Sequence, residues 1–408
     1  LMQKIIIKNL GPIQEAKIIL KPFIVIIGKS GSGKSVLLRT VSLLKWIYKH
    51  EWMQSFHDPK LLNSISQEKF NEYLKESMLD TYINTKTEIK LIDDKTPIIE
   101  IKNEDITIHQ IKSKKPIGKI IFINDTRNFL PELFALPQQR KIKLSYHTDD
   151  MIANFIESVK NSKNFKLNII KNITFTSERE ANFDRYYLKY NDIKIPFEQS
   201  SSGEKSASIL EIICNYFAYD YDIEQKSVKK IILENILNKF IINKNNLKEQ
   251  YQRIEEEISE RVDSLKFLFS QKNKPSLDIF IEEPESNLFP INQKNMAYYL
   301  ASLRNSKNKP NIIFSTHSPY ILTSLNNILY ASMVEQKLHD NKKNNIYEII
   351  NKKNIMDHKD LAAYKLENGK VELIIHKETG LIDAEYIDIA SSEIMDDFYK
   401  IAELDDDK

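Results

Sequence analysis

The sequence predicts an α/β fold in which a mostly parallel sheet is flanked by helices. Three stretches predict it. The apolar run at 23–27 enters a glycine-rich loop and then an amphipathic helix from about Lys34 to Tyr48. "SLDIFIEEPESNLFP" and "NIIFSTHSPYIL" each pass from an apolar strand through polar residues into a helix. Strands that alternate with helices in this way are typical of parallel sheets.

The N-terminal half adds strands to this core. "QKIIIKNLGPIQEAKIIL" predicts two antiparallel strands around a Gly-Pro turn. Residues 50–115 are polar, with a helix expected near 67–79 and a strand pair near 87–109. "KIIFINDTRNF", 119–129, predicts a buried strand that ends in polar residues.

The second half is less regular in pattern. Residues 137–200 read as mixed structure, and a helix is expected at 203–219. Residues 226–270 predict helices with a charged face, and two interpretations stay open: a short helical arm or a solvated pair on the surface. Past about residue 327 we expect further short strands, followed by an acidic helix near 385–403.

Composition excludes several classes of protein. The 408 residues allow two or three domains, and 59 basic residues nearly balance 57 acidic ones, so no chain-wide basic surface for nucleic acid exists. The single cysteine, Cys214, permits no intramolecular disulfide or cysteine-based zinc site, and its apolar context predicts a buried structural thiol. No apolar stretch approaches the roughly 20 residues that span a bilayer. We therefore expect a cytoplasmic protein with no membrane segment.

The loop after the third strand matches the pattern G-x-x-x-x-G-K-[ST] at every fixed position, with a strand before it and a helix after it. Its glycines let backbone N–H groups curl around a phosphate, and the helix start adds partial positive charge. We expect Lys34 to reach the β- and γ-phosphates of ATP and Ser35 to ligate Mg²⁺. The predicted nucleotide-binding residues here are Gly28, Lys29, Ser30, Gly31, Ser32, Gly33, Lys34 and Ser35.

Two acids follow the strand "DIFI". We expect Glu282 to contact the Mg²⁺ shell, through a metal-bound water where its extra methylene favours that, and Glu283 to act as general base towards the attacking water. His317 follows the next strand, at the edge where such sheets bind ligands. An imidazole there can hydrogen-bond the γ-phosphate.

"SSSGEKSASIL", 200–210, contains an S-x-x-E capping box formed by Ser201 and Glu204. An ordinary helix start is one interpretation. An anion site at a serine-rich helix N-terminus, directed at a phosphate held by another subunit, is the other, and the two are compatible. Ser201, Ser202, Gly203 and Glu204 are accordingly candidate nucleotide contacts.

Together the four segments resemble the ATP-binding-cassette (ABC) ATPases, a group of P-loop NTPases in which the signature helix of one subunit completes the site of its neighbour. "IIIKNLGPI", "IEEPESNLFP" and "STHSPYILTSLNN" are similar to the RecF/SMC/OLD-like branch. The closest resemblance is to stand-alone AAA-15/AAA-21-type ATPases of anti-phage defence, such as the AriA subunit of PARIS and the PtuA subunit of Septu. It implies an ATP-binding core at 1–136 and 273–408, with a polar insertion at about 50–115, and a signature lobe with a helical arm at 137–272.

The chain departs from the family pattern at several positions. Ser202 replaces the first glycine of the usual signature pair, Ser200 replaces a leucine, and Asn287 stands where relatives often have histidine. Gln138 and Gln139 are candidates for the Q-loop by position only. Arg127 has two open interpretations: it faces the nucleotide, or it is a surface residue that pairs with Asp125 or Glu132.

The resemblance implies an enzyme that converts ATP and water to ADP and phosphate, works as a nucleotide-dependent dimer or larger homo-oligomer, and regulates a separate effector such as a nuclease or toxin. The Toprim nuclease of OLD-type proteins needs a strand-end glutamate and a D-x-D pair. "DYD" at 220–222 has only the letters of that pair, so we expect the effector to be another protein. The trigger is expected to be DNA or phage-derived. The alternative function is a RecF/SMC-like DNA-repair ATPase, to which lysines in 112–115 and 227–230 could contribute.

Overall fold

The computed structural model describes residues 3–55, 65–109, 117–135, 144–161, 164–180, 183–227, 275–383 and 395–396. Several predictions lie outside these residues. They are the lysines at 112–115 and 228–230, the glutamines at 138 and 139, nearly all of the helical segment at 226–270, and the acidic helix near 385–403.

The described strands form two sheets. The larger has eleven strands in the order β6-β5-β4-β1-β2-β15-β14-β3-β13-β12-β7. Its strands are β1 (Gln3–Leu10), β2 (Ile13–Ile19), β3 (Phe23–Ile27), β4 (Glu88–Asp93), β5 (Thr96–Lys102), β6 (Asp105–Ile108), β7 (Ile117–Ile123), β12 (Ser276–Glu282), β13 (Asn311–Thr316), β14 (Leu361–Glu367) and β15 (Lys370–Leu373). The smaller is antiparallel, in the order β11-β10-β9-β8, from β8 (Asn164–Lys166), β9 (Ile173–Glu180), β10 (Phe183–Tyr190) and β11 (Ile193–Pro196).

The parallel strands form one half of the larger sheet. β14, β3, β13, β12 and β7 run parallel as neighbours, with Val25 opposite Phe314 and Phe280 opposite Phe122. All five residues of β3 are buried, as expected of a parallel strand covered on both faces.

Helices cover both faces of this half. The described α-helices are α1 (Lys34–Ser55), α2 (Gln67–Glu76), α3 (Leu130–Ala135), α4 (Tyr146–Asn161), α5 (Ser202–Asn215), α6 (Pro290–Leu303), α7 (Pro319–Lys337) and α8 (Asp340–Ile349). Of these, α2 packs against β6 in the antiparallel half and α8 packs against α7. Side chains of α1 share one apolar core with Ile24 and Phe280, while those of α5, α6 and α7 share another with Val25 and Phe314. The predicted α/β fold class is confirmed.

The antiparallel half begins with the predicted N-terminal pair, β1 and β2, joined at Gly11 and Pro12. The strand pair predicted near 87–109 is in fact three strands, β4 to β6. The extra hairpin forms because Asn103 and Glu104 both have positive φ, 52° and 67°, and two such residues make the tight turn that suits a twisted hairpin.

Three other element predictions can be compared with the structure. β7 ends at Ile123, and a 3₁₀ helix occupies Asp125–Phe129 where the strand was expected to continue. The helix expected at 203–219 is α5 followed by a π-helix at Tyr216–Asp220. The further short strands expected past about residue 327 are β14 and β15, which begin only at Leu361 after α7 and α8. The chain continues as α7 past residue 327 because buried Leu325, Ile328 and Leu329 keep a helical spacing.

Two smaller expectations can be compared directly. Cys214 is fully buried in α5. Among the described residues, no helix combines the length and apolar character that crossing a membrane requires.

Candidate functional site

The site lies at the carboxyl edge of β3, β13 and β12. In this parallel register Ile27 lies opposite Thr316, and Ser315 lies opposite Glu282. The glycine loop (28–35), the acidic turn (282–287) and His317 therefore follow neighbouring strands and lie side by side, at the edge where parallel α/β sheets bind ligands.

Glycines set the shape of the loop between β3 and α1. Gly31 and Gly33 have φ of +75° and +106°, which other residues adopt only with strain. At Gly28 an added Cβ would lie 2.3 Å from the carbonyl oxygen of Leu366, so only glycine fits there. The loop conformation therefore depends on Gly28 and Gly33, the fixed glycines of the sequence pattern, and on Gly31 between them.

Lys34 folds back over this loop. Its Nζ donates to the carbonyl oxygens of Gly28 and Lys29, each at 2.9 Å. Burial lowers the pKa of Lys34, although the carboxylates of Glu283 and Glu285 partly oppose the shift. The Oγ of Ser32 is buried and has no hydrogen-bond partner among the described residues. The loop thus contains a buried cation held only by backbone carbonyl groups and a buried hydroxyl without a partner in the described part of the chain.

Glu282, Ser35 and Arg39 form one cluster. Glu282 is 1% exposed, its Oε1 lies 3.3 Å from Arg39 Nε, and its carboxylate accepts a hydrogen bond from Ser35. Burial raises the pKa of Glu282, and Arg39 opposes the rise. Arg39 Nη2 also donates to Glu282 Oε2 at 3.5 Å, whereas Arg39 Nε and Glu282 Oε1 have no hydrogen-bond partner among the described residues.

Glu283 and His317 form a second pair. The Nε2 of His317 lies 2.9 Å from Glu283 Oε1, and both side chains are about one-third exposed, at 32% and 36%. The hydrogen bond from His317 lowers the pKa of Glu283 against the opposing effect of burial. Glu283 has φ +44°, so its backbone is in the left-handed region, where non-glycine residues are rare. The predicted base and the predicted histidine are in direct contact.

Glu285 is a third acid that the sequence interpretation did not assign. Its Oε1 accepts from the Thr316 hydroxyl at 2.7 Å and from the His317 backbone N–H at 2.6 Å. Burial raises its pKa. Glu285 therefore ties the acidic turn to the end of β13 and fixes the backbone that carries the histidine.

Arg127 matches neither of its two interpretations. Its side chain is fully buried, and its guanidinium donates to the carbonyl oxygens of Asn124 at 3.0 Å, Glu282 at 2.8 Å and Glu283 at 2.6 Å. Burial lowers its pKa to about 10, so it stays charged at neutral pH. It faces the backbone behind the acids, because three buried carbonyls converge there, and Glu132 pairs with Lys205 instead.

The serine-tipped start of α5 has the predicted capping box. Ser201 Oγ accepts from the Glu204 N–H at 3.3 Å, and Glu204 Oε2 accepts from the Ser201 N–H at 2.9 Å. Gly203 packs against the acidic turn: a Cβ there would lie 2.4 Å from the carbonyl oxygen of Asn287. Ser201 and Ser202 are exposed.

Within one chain the start of α5 is not joined to the glycine loop. Among the described residues no hydrogen bond or ion pair connects 201–205 to 28–35. The structure brings together the loop, Glu282, Glu283 and His317, and leaves the α5 serines facing outwards.

The residues present fit Mg²⁺ bound together with a nucleotide. Hydroxyl and carboxylate oxygens are the donors that Mg²⁺ prefers, and Ser35 and Glu282 already contact each other. No cluster of three or more His, Cys, Asp or Glu that could hold a metal by itself exists in the described part of the chain. A site of this kind suits an ion whose other ligands are phosphate and water.

Arg39 and Glu285 are two site residues that the sequence analysis did not identify, and they differ in whether the sequence could have indicated them. Arg39 lies four positions after Ser35, so helical spacing alone places both on one face of α1. Glu285 offers no such signal, because its partners lie 31 and 32 residues away on another strand.

Comparisons with known proteins agree with an ATPase. Residues 261–322 match the AAA_15 family, described as an AAA ATPase domain, and this stretch contains Glu282, Glu283 and His317. The search of curated proteins gave no match.

Three solved structures are similar over most of the chain. An Smc head domain with an extended coiled coil, derived from Pyrococcus furiosus, is 9% identical with TM-score 0.41, covering 97% of this chain and 99% of that one. An SMC head domain from Thermotoga maritima is 10% identical with TM-score 0.35, covering 91% and 98%. A dimeric bacterial ABC transporter cassette is 12% identical with TM-score 0.28, covering 90% and 96%.

Similarity at this level carries no residue-by-residue correspondence. The strand, glycine loop and helix in a parallel sheet are a P-loop arrangement by their own geometry, and the family match supports an ATPase.

Proposed function

We propose that the chain binds and hydrolyses ATP at the edge of β3, β13 and β12. The observation that carries this proposal is the contact of Glu283 with His317 beside a glycine loop that holds Lys34. A phosphate loop alone supports only binding. An ionised carboxylate held by an imidazole at the same edge adds the group that hydrolysis requires.

Each side chain then has a defined task. Lys34 exchanges its two backbone carbonyl partners for phosphate oxygens, which compensate its buried charge better. Ser35 and Glu282 would hold Mg²⁺, which supplies positive charge against the phosphates. Glu283, ionised because its pKa is lowered, accepts a hydrogen bond from water and orients it, while His317 holds the carboxylate in place.

Hydrolysis is tested by steady-state ATPase assays on three variants. Lys34→Ala should abolish nucleotide binding at the glycine loop, and Glu283→Gln should bind ATP yet hydrolyse it at least about 100-fold more slowly, the usual contribution of a positioned base. Glu372→Gln removes an exposed carboxylate on β15 and serves as the matched control. Normal turnover by Glu283→Gln would show that the base is another residue.

We propose further that ATP joins two chains face to face, each lending its α5 start to the other's nucleotide. Support comes from the exposed Ser201 and Ser202 and from large apolar side chains on the same edge. Phe289 is 72% exposed just after the acidic turn, and Tyr320 is 51% exposed just after His317. Exposed aromatic residues beside a polar site are typical of interfaces.

The dimer is tested by light scattering of Glu283→Gln with and without ATP. The mass should double with ATP, and Ser201→Arg should prevent the doubling. Lys17→Arg, at an exposed position on β2, is the control. A mass that stays monomeric at saturating ATP would overturn the shared site.

We propose, from the resemblance of the motif segments to stand-alone defence ATPases, that the assembly regulates a separate effector in bacterial anti-phage defence. The experiment is co-purification with the products of neighbouring genes, with ATP and after its hydrolysis. An effector that binds in one nucleotide state only would support the proposal. Salt-sensitive, ATP-dependent DNA retention on filters without any protein partner would favour the RecF/SMC-like repair function instead.

A further inference from the structure

A polar cleft of about 590 Å³ lies apart from the nucleotide site. It is bordered by the loop at 166–172, the end of α5 with its π-helix, the middle of α6, and residues 353–354. Sites for small molecules commonly have about 300–1,000 Å³. None of the glycine-loop residues or the acids at 282–285 lines it, so the proposed ATPase activity leaves this cleft without a role.

The charge of the cleft is positive. Lys166, Lys171 and Lys353 line it from two separate segments, and all three are exposed. No aspartate or glutamate is among the residues that line it within the described part of the chain. Three ammonium groups around one concavity, without a carboxylate between them, favour an anionic ligand.

The remaining lining suits a planar, hydrogen-bonding ring. Tyr219 is 39% exposed and offers an aromatic face for stacking. Asn172, Asn215 and Asn354 supply side-chain amides, each of which carries donors and an acceptor. Stacking on tyrosine and pairing with amides are how proteins bind nucleic-acid bases.

The cleft is held in shape from behind. The carboxylate of Glu211, fully buried in α5, accepts from the backbone N–H groups of Asn168 and Ile169, each at 2.7 Å. Asn295 of α6 donates to the Ile169 carbonyl at 3.0 Å. The loop is thereby tied to both helices, and the π-helix beside it is a feature often found at functional sites.

We propose that this cleft binds a nucleotide unit, a phosphate group with its base, either as a free nucleotide or as part of single-stranded nucleic acid. The lysines bind the phosphate, and Tyr219 with the asparagines binds the base. This site is additional to the one at the glycine loop. Its occupant touches α5, which begins at the serine tip, and α6, which follows the acidic turn.

The experiment measures binding by equilibrium dialysis of labelled ATP and by fluorescence anisotropy of a labelled short single-stranded DNA. Both probes are applied to the Lys34→Ala protein, in which the glycine loop is disabled, with and without Lys166→Glu, Lys171→Glu and Lys353→Glu together. We expect one probe to bind the Lys34→Ala protein and to lose about tenfold or more in affinity on the triple reversal. Lys17→Glu, outside the cleft, should change neither probe, and circular dichroism should show that the triple variant keeps its fold.

The two probes distinguish the ligand sources. Loss of ATP binding alone identifies a free nucleotide, and loss of DNA binding identifies a strand. If the triple reversal changes neither probe, the proposal is overturned. Should the triple variant lose its fold, Tyr219→Ala replaces it and should weaken the same probe severalfold, and no weakening would equally overturn the proposal. The ATPase proposal fails separately, if Lys34→Ala leaves hydrolysis intact.

Discussion

Replacing Arg127 by methionine should impair both folding and hydrolysis. Arg127 is fully buried, and its two Nη atoms donate to three carbonyl oxygens, two of which belong to Glu282 and Glu283. A hydrogen bond from a charged group contributes about 1.5–3 kcal/mol, and a buried carbonyl without a donor costs about 1–3 kcal/mol. Methionine fills most of the volume but donates nothing. We expect the free energy of unfolding to fall by about 3–5 kcal/mol, because the effects are not additive.

The catalytic effect follows from the backbone of Glu283. Its φ of +44° is strained, and strained backbone persists only where its surroundings hold it. Without Arg127 the peptide relaxes and the carboxylate moves relative to water and phosphate. A displacement of about 1 Å costs up to about 100-fold in rate, so we expect kcat to fall about 10- to 100-fold with a smaller change in KM.

Arg304 provides a matched control. It donates to the carbonyl oxygens of Lys309 and Pro310, at 2.7 and 2.9 Å, and pairs with Asp360, away from the nucleotide edge. Arg304→Met should lower stability by a comparable amount and leave kcat unchanged. Urea unfolding and ATPase assays at a temperature where every variant is folded separate the two effects. If Arg127→Met and Arg304→Met keep the same kcat, Arg127 serves folding only. Where Arg127→Met does not fold, Arg127→Lys, which keeps the charge but loses the two-pronged geometry, should show a smaller loss of the same kind.

Three further predictions concern single groups of the site. Since the pKa of Glu283 is lowered in the folded state, its ionised form stabilises the fold at pH values above the ordinary glutamate pKa, and this contribution disappears as the pH falls through the lowered value. The urea midpoints of the parent protein and Glu283→Gln should therefore converge on acidification, and a constant gap would contradict the assignment. Gly203→Ala should destabilise by about 1–3 kcal/mol, since its Cβ would overlap the Asn287 carbonyl, and a thermal melt no different from the parent's would disprove that packing. Ser201→Ala should cost about 1 kcal/mol by loss of the cap, measured by urea unfolding with Thr323→Ala, an exposed hydroxyl inside α7, as the control.

The sequence predicts the elements that carry the site because each of them depends on residues that are close together in the chain. Gly31 and Gly33 have positive φ, the apolar runs of β3, β12 and β13 mark buried parallel strands, and Ser201 with Glu204 forms a capping box. Local pattern also explains the errors. Asn124 ends β7 early, and the turn at Asn103 and Glu104 converts an expected pair into three strands.

The residues that support the acids from behind could not be predicted, because their hydrogen-bond partners lie far away in the sequence. Arg127 meets carbonyl groups 155 and 156 residues away, and nothing in the letters around it distinguishes a surface arginine from a fully buried one. Glu285 likewise needs the register of β12 against β13 before its partners are defined. Since every residue has a backbone carbonyl group, the sequence does not indicate which of these groups accepts a hydrogen bond from Arg127.

The three acids of the turn illustrate what the structure adds to their spacing. Glu282 and Glu285 are buried, and burial raises the pKa of both, whereas the hydrogen bond from His317 lowers the pKa of the partly exposed Glu283. Environments that push the pKa values of neighbouring carboxylates apart assign them different tasks. Glu283 is the partly exposed acid whose ionised form is stabilised by the hydrogen bond from His317, so it can accept a further hydrogen bond from water. Burial disfavours the ionised form of Glu282, an effect that Arg39 opposes in part and a bound Mg²⁺ would oppose further. Glu282 could not take over the role of orienting water from Glu283 unless His317 moved. A Glu282→Gln protein should therefore lose the dependence of its nucleotide affinity on Mg²⁺. The Glu283→Gln protein should retain that dependence. Equal metal dependence of ATP affinity in the two variants, measured by titration with and without Mg²⁺, would refute this division of tasks.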